Sequence, residues 1–249
     1  MGAADLPLAL AELHLALQPG DRFEVADITW PTSATVPPLA DVFEGAGLGA
    51  VELAADDADA DVDADGTHAG EGRGGRLTAS GRRVRTLPDT VGPDMRLLIC
   101  GLNPSVYSAD RGVGFARTGN RFWTAAVEAG LVPRARDTMG ALRESHVGMT
   151  DLCKRATVAS AELTRDEYRA GAKRVERLVA WLQPGAVCFV GLEGWRVAVD
   201  RSAAPGVQER AFGGRPAYVM PSTSGLNAHT KPADHVAHLR AAMALADHG

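Results

Sequence analysis

The sequence predicts an α/β fold: a three-layer sandwich with a central, mostly parallel sheet, preceded by a small N-terminal accessory segment. Three observations predict it. Beyond residue 95, short apolar runs alternate with stretches of helical periodicity, the pattern of buried strands joined by covering helices. Two of those runs break directly into polar Gly/Pro loops, GLNPS at 101–105 and PSTSGLNAH at 221–229, and in an open parallel sheet the loops at strand C-termini present polar groups to a ligand. The charge is also divided. Residues 1–71 carry 15 Asp/Glu against the single Arg22, whereas residues 72–249 carry 25 Lys/Arg against 16 Asp/Glu.

The accessory segment, 1–54, has globular texture. LPLALAELHLAL is helix-like, Pro19-Gly20-Asp21 a turn, RFEVADITW strand-like, and PLADVFEGAG a second helix before AVEL. From 55 to 76 the chain is acidic, repetitive and glycine-bearing (ADDADADVDADGTHAGEGRGG), a composition that cannot bury enough apolar surface to fold, so a disordered linker is expected. The main domain, 77–249, then begins between Leu77 and Arg96. Its apolar runs predict strands at 96–101, 147–152, 186–191 and 217–220. Its periodic stretches predict helices at 121–129, 138–144, 165–182, 194–200 and 232–246.

At 249 residues with 45% hydrophobic content, the chain can bury one good core plus an appendage. No run reads as a signal peptide or a membrane span, which points to a cytoplasmic, nucleoid-associated protein with no membrane partner. Cys100, Cys153 and Cys188 lie far apart in apolar sequence and show no metal spacing, so reduced core thiols are expected. His235 and His238 lack a carboxylate or Cys partner that would complete a metal set. The basic surplus of the main domain suits a polyanion such as DNA, although arginine-rich helices are often only solvated faces.

Residues 98–123, LICGLNPSVYSADRGVGFARTGNRFW, and 218–229, YVMPSTSGLNAH, carry paired loops that resemble the active-site motifs of the uracil-DNA glycosylase superfamily. The likeness is strongest to its mismatch-specific uracil/thymine-DNA glycosylase branch. GMTDLCKRAT at 148–157 and Glu162-Leu163 to Tyr168 resemble that family's middle segment. The resemblance runs from about Arg96 to the C-terminus. It implies hydrolysis of the bond between pyrimidine N1 and deoxyribose C1′, which needs a positioned water and donors for the departing base rather than a strong nucleophile. The branches with an iron–sulfur cluster use four cysteines, one more than this chain has, and no other cofactor is implied.

Residue by residue, the resemblance makes Asn103 the catalytic group: a neutral amide that can orient water but cannot act as a strong base. Slow turnover on destabilised pairs is therefore expected. Gly101, Leu102, Ser105, Phe115, Asp151 and Ser222 would form the base pocket, with Phe115 stacking on the extruded pyrimidine. Leu226 would be the wedge that fills the vacated space, and Ser224, Gly225, Asn227, His229 and Lys231 would contact DNA. Two positions depart from the family pattern. Ser105 stands where Gly is usual, and Asp151 where Lys or Asn is usual near the pyrimidine edge. Both bear on which base is accepted.

The leading expectation is thus a monomeric, monofunctional glycosylase removing uracil mispaired with guanine in duplex DNA, with thymine and modified cytosine as further candidates. The alternatives are a non-catalytic or trapping uracil-DNA binding protein on the same scaffold, and an unrelated α/β enzyme acting on free nucleotides. Asn before Pro, and a hydroxyl-rich loop ending in Gly, are also ordinary turn chemistry.

Overall fold

The structure, a computed structural model, describes residues 3–31, 33, 35–55, 76–227 and 229–248. Its N-terminal unit comprises α1 (Leu6–Ala16), β1 (Arg22–Thr29), α2 (Leu39–Gly45), β2 (Leu48–Ala55) and β3 (Arg76–Arg83). The strands form an antiparallel sheet in the order β1-β3-β2. Leu6 and Leu10 from α1 and Phe43 from α2 meet Phe23, Ile28, Leu48 and Ala79 from the strands in a small core. The boundaries expected at 54 and 77 do not coincide with this sheet, because β3 is its central strand. RLTASGRR is too polar to announce a strand by alternation, and it is ordered by pairing on both sides. The expected linker, apart from its end residues Ala55 and Arg76, lies outside the described residues.

The main sheet contains β4 (Leu97–Gly101), β5 (Val147–Asp151), β6 (Ala186–Val190), β7 (Gly206–Val207) and β8 (Ala217–Met220), in the order β5-β4-β6-β8-β7. Strands β4, β5, β6 and β8 are mutually parallel, and β7 pairs antiparallel with β8 at the edge. Every residue of β4, β6 and β8 is buried, as strands covered on both faces must be. Alternation sorts their side chains between two cores. Leu98, Cys100, Val187, Phe189, Ala217 and Val219 face the core built on α6 (Arg165–Leu182) and α7 (Leu192–Ala198). Leu97, Ile99, Ala186, Cys188, Tyr218 and Met220 face the core built on α4 (Phe122–Ala129) and α8 (Pro232–Asp247). This is the three-layer α/β sandwich with a mostly parallel sheet that the sequence predicts.

The helix α5 (Thr138–Ser145) packs beside β5, and α3 (Val106–Arg111) follows the β4 loop. Against the sheet, α6 comes close enough that a Cβ on Gly171 would stand 2.0 Å from the Leu152 carbonyl oxygen. All three cysteines are free and buried, and burial pushes the Cys188 thiol up to about 12. No helix among the described residues is long and apolar enough to cross a membrane.

Candidate active site

Strand β4 lies between the parallel β5 and β6, so the loops that follow these strands leave from the same edge of the sheet. The 101–106 segment runs alongside 152–157 and is stitched to it. Gly101 and Leu102 carbonyls accept from the Leu152 and Cys153 amides at 2.9 and 2.8 Å, and the Pro104 carbonyl accepts from Thr157 N–H at 3.1 Å.

Asn103 is locked within this seam. Its Nδ2 donates to the carbonyls of Arg155 (2.9 Å) and Pro104 (3.1 Å) and contacts Thr157 Oγ1 at 2.8 Å. Carbonyls only accept, so the amide can sit one way round. Its Oδ1 has no protein donor among the described residues and is left as an acceptor. Nothing local in the sequence marks Thr157 or the Arg155 carbonyl as the groups that orient Asn103; the register of two parallel loops brings them there.

Gly101, Phe115 and Asp151 converge. A Cβ on Gly101 would lie 2.3 Å from Asp151 Oδ1, so the glycine leaves room for that carboxylate, and it would make ordinary contact with Phe115 Cζ at 3.4 Å. The Phe115 backbone is left-handed at φ 56°; its ring stacks on Phe122 with centroids 4.2 Å apart, and the neighbouring Gly114 carbonyl accepts from Trp123 Nε1. Phe115 and Asp151 line a cavity of only ≈ 20 Å³ with Met149 and Thr150, room for about one water. Burial pushes the Asp151 carboxyl up to about 6; Lys154 and Arg174 pull against the shift and Asp89 adds to it.

Leu102 and Ser222 do not share that cavity. They line a separate cleft of ≈ 450 Å³ with Gly191, Glu193, Arg196, Asn227 and Thr230. The hydroxyl of Ser105 caps α3, accepting from the Ser108 amide at 3.1 Å and donating to Ser108 Oγ. That explains a serine here: it starts a six-residue helix that Gly112 ends at φ 65°.

The second loop is braced beneath an exposed tip. Leu226 is 90% exposed, while Asn227 Nδ2 donates to the Ser222 carbonyl (2.8 Å) and Thr230 Oγ1 (2.9 Å). Ser224 Oγ faces the Leu226 amide at 3.4 Å, and a Cβ on Gly225 would touch the Gly119 carbonyl at 3.0 Å. Arg121, within the GNRFW segment, ties the loop from outside by donating to the Asn227 and Thr230 carbonyls at 3.1 and 2.9 Å. Its role could not be read from sequence, since its partners lie more than a hundred residues away. His229 and Lys231 are exposed beside the loop. Among the described residues no group of three His, Cys, Asp or Glu is placed to hold a metal.

The family model described as the Uracil DNA glycosylase superfamily matches residues 88–244. The chain belongs to that superfamily. The match takes in both loops, the stitched seam and the whole five-stranded sheet, and it leaves out the N-terminal unit. A solved structure, the "Solution NMR Structure of a putative Uracil DNA glycosylase from Methanosarcina acetivorans", is similar over 65% of this chain and 97% of its own, at 19% identity and a TM-score of 0.43. Nothing further rests on a likeness of that size. Membership of the Uracil DNA glycosylase superfamily supports a hydrolase activity of the DNA glycosylase class and DNA as the partner.

Proposed function

We propose that the protein is a monofunctional DNA glycosylase that hydrolyses the N-glycosidic bond of uracil mispaired with guanine in duplex DNA. The observation that carries this reading is the locked Asn103 amide, whose Oδ1 has no donor among the described residues. Oδ1 accepts a hydrogen from a water and holds the water's lone pair toward C1′. The N1–C1′ bond breaks with its electron pair going to the base, water oxygen adds to C1′, and the proton leaves to solvent or to the departing base. A neutral amide takes no proton itself, so turnover is slow and depends on a weakened pair.

Leu226, exposed on a braced loop, fills the gap left by the extruded nucleotide, and Ser224, Gly225, Asn227, His229 and Lys231 lie against the backbone around it. Because the Asn227 amide is engaged within the loop, its contribution is to hold Leu226 rather than to pair with the widowed base. The base stacks on Phe115 and meets Asp151. A ≈ 20 Å³ cavity cannot take a pyrimidine, so the glycine-flanked 112–116 loop moves outward when the base enters.

A single-turnover assay on a labelled duplex with one G:U pair tests this, alongside A:U, G:T and single-stranded uracil. G:U is cleaved fastest, and Asn103→Ala lowers that rate by about 10² to 10⁴-fold without weakening binding to the same duplex. Tight binding with no cleavage on any substrate would instead make the protein a uracil-DNA binder.

A further inference from the structure

Beyond the motif loops the molecule carries a second cleft that no part of the proposed chemistry uses. It measures ≈ 610 Å³ and is lined by Arg165, Arg169, Arg196 and Arg201 over a floor of Val197, Ala198 and Val199. Arg165 and Arg169 stand one turn apart on α6, Arg196 projects from α7, and Arg201 follows that helix. All four are exposed. Among the described residues, Arg165, Arg196 and Arg201 form no ion pair, and Arg169 has only the exposed Asp166 at 3.1 Å. Carboxylates nearby are occupied: Asp200 accepts from Ser202, and Glu193 accepts from Tyr168 at 2.9 Å and Ser160 at 3.5 Å.

The position of Arg196 links this cleft to the site. It lines both the arginine cleft and the ≈ 450 Å³ cleft formed by Leu102, Ser222 and Asn227, and its Nε is fixed on the Ala203 carbonyl at 2.9 Å. The two clefts therefore share Arg196 as a common wall, which sets the arginine cleft beside the one at the motif loops. Four solvated like charges lining one cleft fit a ligand that is itself a string of anions.

We propose that the Arg165/Arg169/Arg196/Arg201 cleft is a DNA backbone track, carrying phosphates beyond the nucleotides at the motif loops. The apolar floor contacts deoxyribose, and the guanidinium groups take successive phosphates without reading sequence. No aromatic ring and no buried donor lines the cleft, so it is not built to enclose one free nucleotide. The inference deepens the glycosylase reading, on which it rests for the placement of the duplex, by extending the surface along which that duplex lies.

The test compares the full chain with the variant Arg165→Gln/Arg169→Gln/Arg201→Gln; Arg196 is left intact because it also borders the motif cleft. Affinity for an undamaged duplex extending well beyond the wedge on both sides is measured against salt, together with single-turnover excision of G:U at saturating enzyme. The variant is expected to bind about tenfold or more weakly at low salt, with the log–log salt slope shallower by about 0.9 for each phosphate that is no longer neutralised, while the saturated excision rate is unchanged. Replacement of the same three by lysine restores the slope, which a merely misfolded variant would not allow. An unchanged slope in the glutamine variant overturns the proposal. So does an affinity loss reproduced on a duplex too short to reach α6, or competition by inorganic phosphate as effective as competition by DNA. Because binding is read on undamaged DNA, failure of wild-type excision would sink the glycosylase reading and leave the track standing.

Discussion

At the scale of single residues, the site is decided by what each polar group is already bonded to. Asn103 gives its amide hydrogens to carbonyls and keeps an acceptor, which is the polarity a water needs. Asp151 has the opposite character: it lies against Gly101 and Phe115, its carboxyl has no hydrogen-bond partner among the described residues, and burial drives that carboxyl up to about 6. Protonated, it can donate to a pyrimidine carbonyl and accept from N3–H. Ionised, it opposes both the carbonyl lone pairs and the anion that departs. The expected outcome is G:U excision that is greatest below about pH 6 and falls by up to about tenfold per pH unit above it. Asp151→Asn flattens the profile and raises the rate at alkaline pH. A wild-type rate that is level across that range in a stopped-time assay would remove Asp151 from contact with the base. Asn103 stood out in the sequence because its loop follows an apolar run, whereas Asp151 was singled out only through the family resemblance. Ser105 was only half legible: its hydroxyl serves the first turn of a helix too short to show periodicity.

At the scale of elements, the four parallel strands and the five longer helices of the main sheet could be read because each buries a continuous or periodic apolar set. The six-residue α3 and two-residue β7 could not, being held by a cap, a glycine and a neighbour's edge. The connection of α6 to β5 was equally hidden. Asp89, on the segment leading into the sheet, accepts from Arg174 of α6 at 2.6 Å, from Lys154 at 2.9 Å and from Thr150 of β5 at 2.7 Å. Burial alone would raise the Asp89 carboxyl, but Arg174 and Lys154 outweigh it and hold the group below the usual range. Its stabilisation is therefore complete above the ordinary carboxylate pKa and is lost as pH falls through the depressed value. Asp89→Ala strands two buried cations and costs about 3 to 5 kcal/mol, measured by urea unfolding at neutral pH. The deficit shrinks as pH falls through the depressed value, because the wild-type carboxylate is then protonated as well. A variant within about 1 kcal/mol of wild type would show the network to be dispensable.

At the scale of the whole molecule, the N-terminal unit is fastened to the main one. Trp30 packs edge-on against Trp181 of α6 at 5.3 Å, Arg177 pairs with Asp41 at 2.6 Å, and the Thr86 hydroxyl donates to the Lys154 carbonyl, one residue before the carbonyl that orients Asn103. The acidic 56–75 stretch enters this assembly between two strands that are already neighbours, with Ala55 opposite Leu77. Folding of the sheet thus needs the connection but not its length or charge, since loop-closure entropy varies only slowly with length. The stretch holds seven Asp/Glu and one Arg, so replacing it with a short Gly/Ser turn moves the net charge from −5 to +1. The expected outcome is an unchanged melting temperature with severalfold tighter binding to duplex DNA at low salt, a gain that disappears as salt screens the repulsion. Melting by circular dichroism and a salt series of binding isotherms separate the two effects. A lowered melting temperature would mean that the stretch helps hold the sheet, and equal affinity at low salt would mean that its charge never comes near the DNA.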